Sequence, residues 1–307
     1  MIDPHRLRIL EAVALHGSFS RAAATLRLTP SAVSQQIAAL ERSVGTAVVA
    51  RSTRGVTLTE AGRLLVDAAA AISAELRQAQ AQIDRLAGPL RLTIATFSSG
   101  GRHLLPAVLT RFVAAHPDVE VNVVEMEPES SLPAVRDGAA DLAVAYQFDG
   151  PLPGRAGDRS GLEWTPLLAD PLSVVTPRNH RLAGKESVDL VDLADERWVL
   201  GCRRTEAYLR RFAALAGFEA RFAGSTSDYF FAQLLVGAGV GVSLIPEIAL
   251  LPSAPELAVI PLEPPRPTRH IGVVTARRRR PRPEVDLLVT ELGAAAGAPH
   301  RTGSVHL

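Results

Sequence analysis

The chain has 307 residues, 47% of them apolar and 21% charged, a formal net charge of +1 and one cysteine, Cys202. That length and apolar content can bury two or three cores rather than one, and one cysteine excludes an intrachain disulfide or a multi-cysteine zinc centre and favours a reducing compartment. Asp3, His5, Arg6, Arg8 and Glu11 argue against an export leader, and the absence of eighteen consecutive uncharged apolar residues argues against a membrane span, so a cytoplasmic protein is expected.

The first 58 residues are basic: Arg6, Arg8, Arg21, Arg27, Arg42, Arg51 and Arg54 face only Asp3, Glu11 and Glu41. Such asymmetry suits a nucleic-acid-facing module joined to a neutral remainder, although an excess of this size is more often a solvated face. Leu7, Leu10, Val13 and Ala14 form one apolar stripe at helical spacing, and His16-Gly17-Ser18 ends that helix and begins the next. Phe19, Ala22, Ala23 and Leu26 make the second stripe. Thr29 stands at an N-cap and Pro30 at the first-turn position, where its missing N–H costs nothing; Val33, Ile37, Leu40 and Val44 follow, and Gly45 stops the third helix. The segment TAVVARSTRGVTLT then reads as two strands around a turn at Ser52-Thr53-Arg54-Gly55, a wing.

From Thr59 to Ala87 one helix is predicted. Leu65, Ile72, Ala79 and Leu86 recur every seven residues, as do Ala69, Leu76 and Ile83, offset by four. Both seams of a coiled coil are therefore present, with Arg77, Gln78, Gln80, Gln82, Asp84 and Arg85 between them, and self-association is favoured over packing on the helix's own domain. Gly88-Pro89 breaks the helix. Beyond it, the strand candidates RLTIA, VEVNVVE, DLAVAY, PLSVVT, RWVLG, GVSLI and HIGVVTA alternate with amphipathic stretches at 102–115, 131–137, 205–216 and 228–238. Alternation of this kind predicts an α/β fold with mostly parallel, covered sheets. About 205 residues exceed one usual sheet, so two lobes with a cleft are expected, with loops at 149–161 and 261–268 near the crossings and a loose tail at 293–307.

The run SFSRAAATLRLTPSAVSQQIAALERSVGTAVVARSTRGVTLTEAG resembles the N-terminal motif of the LysR-type transcriptional regulators, and AGPLRLTIA, DGAADLAVAY and VGAGVGVSLIP stand in that family's order. The first motif is highly specific, the later ones individually weak, and together they span essentially the whole chain. The resemblance implies a winged helix-turn-helix at 1–58, a dimerising linker helix at 59–88, and an effector domain at 89–292 similar to periplasmic solute-binding proteins. Its lobe I would comprise about 89–168 and 265–292, and lobe II about 169–264. Dimers or pairs of dimers are implied as well. Two departures stand out: Val48-Val49 replaces the usual Leu-Phe before the wing arginine, and Pro30 stands where many relatives carry Gln.

In a helix-turn-helix the second helix enters the major groove and its leading residues reach base edges. That assigns Pro30, Ser31, Ser34, Gln35 and Gln36 to double-stranded operator DNA, Gln being able to pair bidentately with adenine. Arg51 and Arg54 flank the wing turn and suit phosphates or a minor groove; Ser18, Ser20 and Arg21 open the preceding helix, where free amides attract phosphate. Small polar residues on an exposed helix are ordinarily solvation alone, and it is the surrounding motif that reverses this reading.

Sensing residues are expected where strands feed helices. Phe97, Ser98, Ser99, Gly100 and Arg102 follow RLTIA, Gly201, Cys202 and Arg203 follow RWVLG, and Thr226, Ser227 and Asp228 open the helix before GAGVG. Corresponding loops line the effector cleft in the family. Each has a plain alternative as a helix cap, favoured for Asp228. The helix N-termini and Arg102, Arg203 and Arg204 lean toward an anionic effector, weakly, since Lys185 is the sole lysine and arginine is abundant. GAGVG follows a helix and precedes a strand, the reverse of a dinucleotide fingerprint, and reads as a helix C-cap. Cys202 has no second cysteine to resolve it and reads as a buried or cleft-lining thiol. The arginines at 277–280 read as a solvated loop. No metal, cofactor or catalytic constellation is expected; the competing reading is a solute-binding or enzymatic two-lobed protein with an accessory DNA-binding module.

Overall fold

In the computed structural model the described residues are 2–52, 55–86, 90–148, 161–250, 254–277 and 282–297. Arg54, most of the 149–161 loop, the arginines at 278–280 and the end of the tail lie outside them. Two compact units are present, one carried by residues 1–88 and the other by the bulk of residues 89–307.

The first unit holds α1 (Pro4–His16), α2 (Phe19–Leu26), α3 (Pro30–Val44), the hairpin β1 (Val49–Ser52) and β2 (Gly55–Leu58), and α4 (Glu60–Leu86). Their starts and stops follow from local chemistry. The Asp3 carboxylate accepts the N–H of His5 ahead of Pro4, and Gly17 and Gly45 end α1 and α3 with φ of +59° and +79°, a conformation that only glycine adopts freely. The Thr29 hydroxyl accepts the N–H of Ala32 at 3.2 Å and caps α3. Leu7, Leu10, Val13, Ala22, Ala23, Val33, Ile37 and Leu40 form the core with Ile9, Val48, Val49 and Ala69. The wing is fastened twice: Val56 N–H donates to Gly17 O at 2.9 Å, and the Glu41 carboxylate accepts Val48 N–H at 3.0 Å. A side chain at Gly55 would place its Cβ 2.8 Å from Gly17 O, and one at Gly62 would stand 2.0 Å from Val48 O, so both close approaches require glycine.

The second unit contains β3 (Leu90–Thr96), α5 (Ser98–Ala115), β4 (Val119–Glu125), α6 (Pro128–Arg136), β5 (Leu142–Gln147), β6 (Leu162–Pro177), β7 (Arg197–Leu200), α7 (Thr205–Leu215), β8 (Arg221–Ser225), α8 (Tyr229–Gly237), β9 (Ser243–Pro246), β10 (Leu257–Pro261), β11 (Thr268–Ala276) and α9 (Pro283–Gly297). One sheet runs β10-β6-β11-β5-β3-β4, with β9 also on β6, and β7 pairs separately with β8. The expectation of mostly parallel sheets is corrected here. Among the described strands, β3 with β4, β3 with β5 and β7 with β8 are the parallel pairs, while β11, β9 and β10 all pair antiparallel with β6, and β11 antiparallel with β5. The cause is β6, which is continuous through 16 residues: its first part pairs with β11 from Leu162 to Pro171, and its last part pairs with β9 and β10 from Leu172 to Pro177. The sheet thus has two halves strung on one strand, and the expected lobe boundary near residue 168 falls inside it.

Other element boundaries move too. The helix after RLTIA begins at Ser98, not near Arg102, and α9 runs on to Gly297, past the expected start of the tail, because Ala295 and Ala296 still pack on the core. GAGVG does close a helix: Gly239 has φ of +78°, and its N–H and that of Val240 return to Val236 O and Leu235 O.

Candidate functional site

The first cluster of predicted site residues lies on the outer faces of α2 and α3. Val33, Ile37 and Leu40 turn one side of α3 into the core, which leaves Pro30, Ser31 and Gln35 exposed on the other. Ser31 shares a 3.0 Å hydrogen bond with Thr29, and Ser34 is half-buried. Gln36 is only partly exposed and accepts from Arg6 Nε at 3.2 Å, so α1 holds its amide in place. Ser20 and Arg21 are exposed in the first turn of α2; Ser18 stands at that helix's N-cap and makes no capping bond with its side chain. Arg51 lies in β1, its side chain not among those described, and Arg54 is outside the described residues.

The second cluster surrounds a small cavity that is partly open to solvent. Phe97, Ser98 and Ser99 reach it from the junction of β3 and α5, Cys202 from the turn after β7, and Ser227 and Asp228 from the start of α8. The remaining expected residues do not line it. Gly100 and Gly201 are buried against the rings of Phe97 and Tyr229, where a Cβ would come within 2.4 Å of ring carbon, so they are glycines for packing. Arg102 is exposed and stacks 3.6 Å over the Phe230 ring. Arg203 is exposed, and Thr226 accepts the N–H of Asp228 at 3.1 Å, a turn that sets up the helix. Asp228 caps α8 through Phe230 N–H at 2.8 Å and also stands in the lining of the cavity.

Sequence reasoning missed Glu127, Tyr146, Tyr229, Phe230 and Arg269, which complete the lining. Arg269 and Asp170 are cross-strand partners in β11 and β6, both fully buried, with Arg269 Nε donating to Asp170 Oδ2 at 2.7 Å. Asp170 Oδ1 accepts Ile248 N–H at 3.2 Å, and Arg269 Nη2 donates to Ser99 Oγ at 3.0 Å. Tyr146 donates to Glu127 at 2.8 Å, and its oxygen stands 3.2 Å from Cys202 Sγ. Burial pushes the Tyr146 phenol well above its ordinary range, with Cys202 and Glu127 adding to the shift. Tyr229 is pushed up by burial too, against an opposing pull from Arg269, so both phenols keep their protons at neutral pH. The leading amides of α5 have no side-chain cap, because Phe97 occupies the N-cap. The cavity therefore combines apolar walls with convergent donors, the composition of a small-molecule site. Among the described residues no cluster of His, Cys, Asp or Glu could hold a metal ion, and no helix is long and apolar enough to cross a membrane.

Two family models cover the chain: "Bacterial regulatory helix-turn-helix protein, lysR family" over residues 4–63, and "LysR substrate binding domain" over residues 87–297. The chain is 31% identical to the transcriptional dual regulator GltC of Bacillus subtilis (strain 168) over 265 residues, 83% of this chain and 85% of the relative. It is 32% identical to a probable hydrogen peroxide-inducible genes activator of Mycobacterium avium over 278 residues, 87% of this chain and 86% of that one. Among solved structures it is similar to HinK, a LysR family transcriptional regulator from Pseudomonas aeruginosa, with a TM-score of 0.58 and 22% identity over 97% of this chain and 99% of the other.

Proposed function

The chain belongs to the LysR family of transcriptional regulators, and on that premise we propose that the leading turns of α3 read operator DNA while the cavity at the start of α5 takes the controlling effector. It is a sequence-specific DNA-binding regulator, with a helix-turn-helix and an effector-binding domain. Ser31 and Gln35 meet base edges, Ser34 and Gln36 support them, and Ser18, Ser20, Arg21, Arg51 and Arg54 hold phosphates. Two copies joined through α4 address a near-palindromic site with half-sites about one helical turn apart. The protein works in the cytoplasm and carries out no catalysis.

The observation that supports this reading best is the two-sidedness of α3: Val33, Ile37 and Leu40 fix the helix from within, and Ser31 and Gln35 are left to the outside at its leading end. The test is fluorescence anisotropy with duplexes drawn from upstream of the protein's own gene, beside scrambled duplexes. Gln35→Ala weakens binding to the upstream duplex by roughly five- to 150-fold, the equivalent of about 1–3 kcal/mol per bidentate base contact. It leaves binding to the scrambled duplex unchanged. Equal losses on both would remove Gln35 from base reading.

A further inference from the structure

We propose that Arg27, in the turn between α2 and α3, is a phosphate-binding residue kept there at a cost to the fold. The inference rests on reading α3 as the DNA-facing helix and adds a contact to it. The turn itself needs a left-handed residue. Leu28 N–H returns to Ala23 O at 2.9 Å and Arg27 N–H to Ala24 O at 3.3 Å, with Arg27 at φ of +55° and ψ of +41°. That backbone crowds the Cβ of an L residue and is the ordinary place of glycine. Gly17, Gly45 and Gly239 follow the rule at the ends of α1, α3 and α8; among the described residues, Arg27 is the one non-glycine with a positive φ.

Nothing that the side chain does within the protein offsets this cost. Arg27 is exposed, and among the described residues it has no side-chain hydrogen bond, ion pair or ring contact. A cation does suit the carbonyl end of α2. Position 24, exposed in the last turn of that helix and right-handed, would serve the same end without the crowding, yet it holds alanine. The backbone therefore explains why the turn bends as it does, and leaves the choice of arginine to be explained by something outside the protein.

Position supplies that explanation. Arg27 stands three residues ahead of Pro30, where α3 begins, so it is carried at the end of the helix that enters the groove. From Phe19 to Gly45 the charged residues are Arg21, Arg27, Glu41 and Arg42. All three arginines are exposed, whereas the one acid is turned to Val48 and Val49 N–H. The free charge on this face is positive, the sign that a duplex backbone attracts. A guanidinium at the turn donates to a phosphate oxygen beside the groove that Ser31 and Gln35 enter, and so seats the helix without reading bases.

The experiment follows two readouts of the full-length protein, fluorescence anisotropy with the upstream and scrambled duplexes at several salt concentrations, and calorimetry. In Arg27→Gly they move in opposite directions. The thermal midpoint of the N-terminal unit rises by a few degrees as the crowded backbone relaxes. Affinity for both duplexes falls by roughly five- to tenfold per reading head at about 0.1 M salt, and the slope of log affinity against log salt becomes shallower by about one unit per head. Arg27→Lys keeps the charge and the crowding, and stays within about twofold of the unaltered affinity with the original slope. An Arg27→Gly protein with unchanged affinity and slope overturns the phosphate contact, as does an equal loss in Arg27→Lys or a loss confined to the upstream duplex. A lowered midpoint in Arg27→Gly overturns the claim of a cost to the fold. If Gln35→Ala loses selectivity for the upstream duplex while Arg27→Gly changes nothing, the DNA-facing reading of α3 stands and this contact alone falls. If the unaltered protein holds no duplex at any salt, both fall together.

Discussion

Glu41 sits near the end of α3, and its carboxylate accepts from Val48 N–H at 3.0 Å and from Val49 N–H at 3.5 Å. One side chain thus ties the reading helix to the first residues of the wing. Truncation to alanine leaves a half-buried donor unmet, a loss of about 1–3 kcal/mol. Glu41→Ala therefore lowers the thermal midpoint of the N-terminal unit by several degrees, visible by calorimetry of the full chain; an unchanged midpoint would show that the bond contributes nothing. At this scale the sequence was readable where a residue's role is local. Thr29, Gly45 and Asp228 were identifiable as caps because a cap's partner lies within a few residues. Arg269 was not, since its partners Asp170 and Ser99 stand 99 and 170 positions away, and a lone arginine ahead of an apolar strand carries no periodic signal. Tyr146, near the end of β5, has its partners Glu127 and Cys202 19 and 56 positions away and gives no local signal either.

Element by element, helices of the first unit were legible because apolar spacing and capping residues agree. The two short strands β8 and β10 were not: RFAGS is half-exposed and interrupted by glycine, and LAVIP lies between proline-rich stretches. The helix α4 divides along its length. Ala69 and Leu65 pack on the N-terminal core, whereas Leu76 and Ile83 are 65% and 58% exposed on a single chain. An apolar seam left to water on a helix of 27 residues asks for a second helix. Leu76→Glu shifts the protein toward monomer in analytical ultracentrifugation and weakens operator binding through the loss of one reading head. A mass unchanged from the unsubstituted protein would exclude this seam from assembly.

For the whole molecule, the two-part division and the α/β class of the second part were foreseen from the chain, but its strand directions were not. Alternation of strands and helices suggested parallel crossovers, and periodicity cannot report that β11 returns to lie antiparallel on both β5 and β6. The separation of tasks between the two units carries its own prediction. Ser99 lies in the cavity, buried to within 4% of its surface, and far along the chain from the reading helix. Ser99→Trp fills the cavity and abolishes any ligand-induced change in operator affinity, while affinity without ligand stays within about twofold. Loss of both together would point to misfolding of the second unit.

Because β6 threads both halves of the sheet, its length is not free to drift in the way a loop's can. Side chains alternate in facing along a strand, and β6 already carries one extra residue against β11, Leu167, at the register shift between Ile271 and Gly272; a further residue inserted between Leu168 and Asp170, unless absorbed by a second bulge, would present Asp170 to the opposite side, away from Arg269. Two inserted residues would restore the facing yet slide the pairing with β9 and β10 past its partners. The strand thus acts as a ruler shared by two compartments, and descendants of this gene should vary in the connections around it while keeping its residue count.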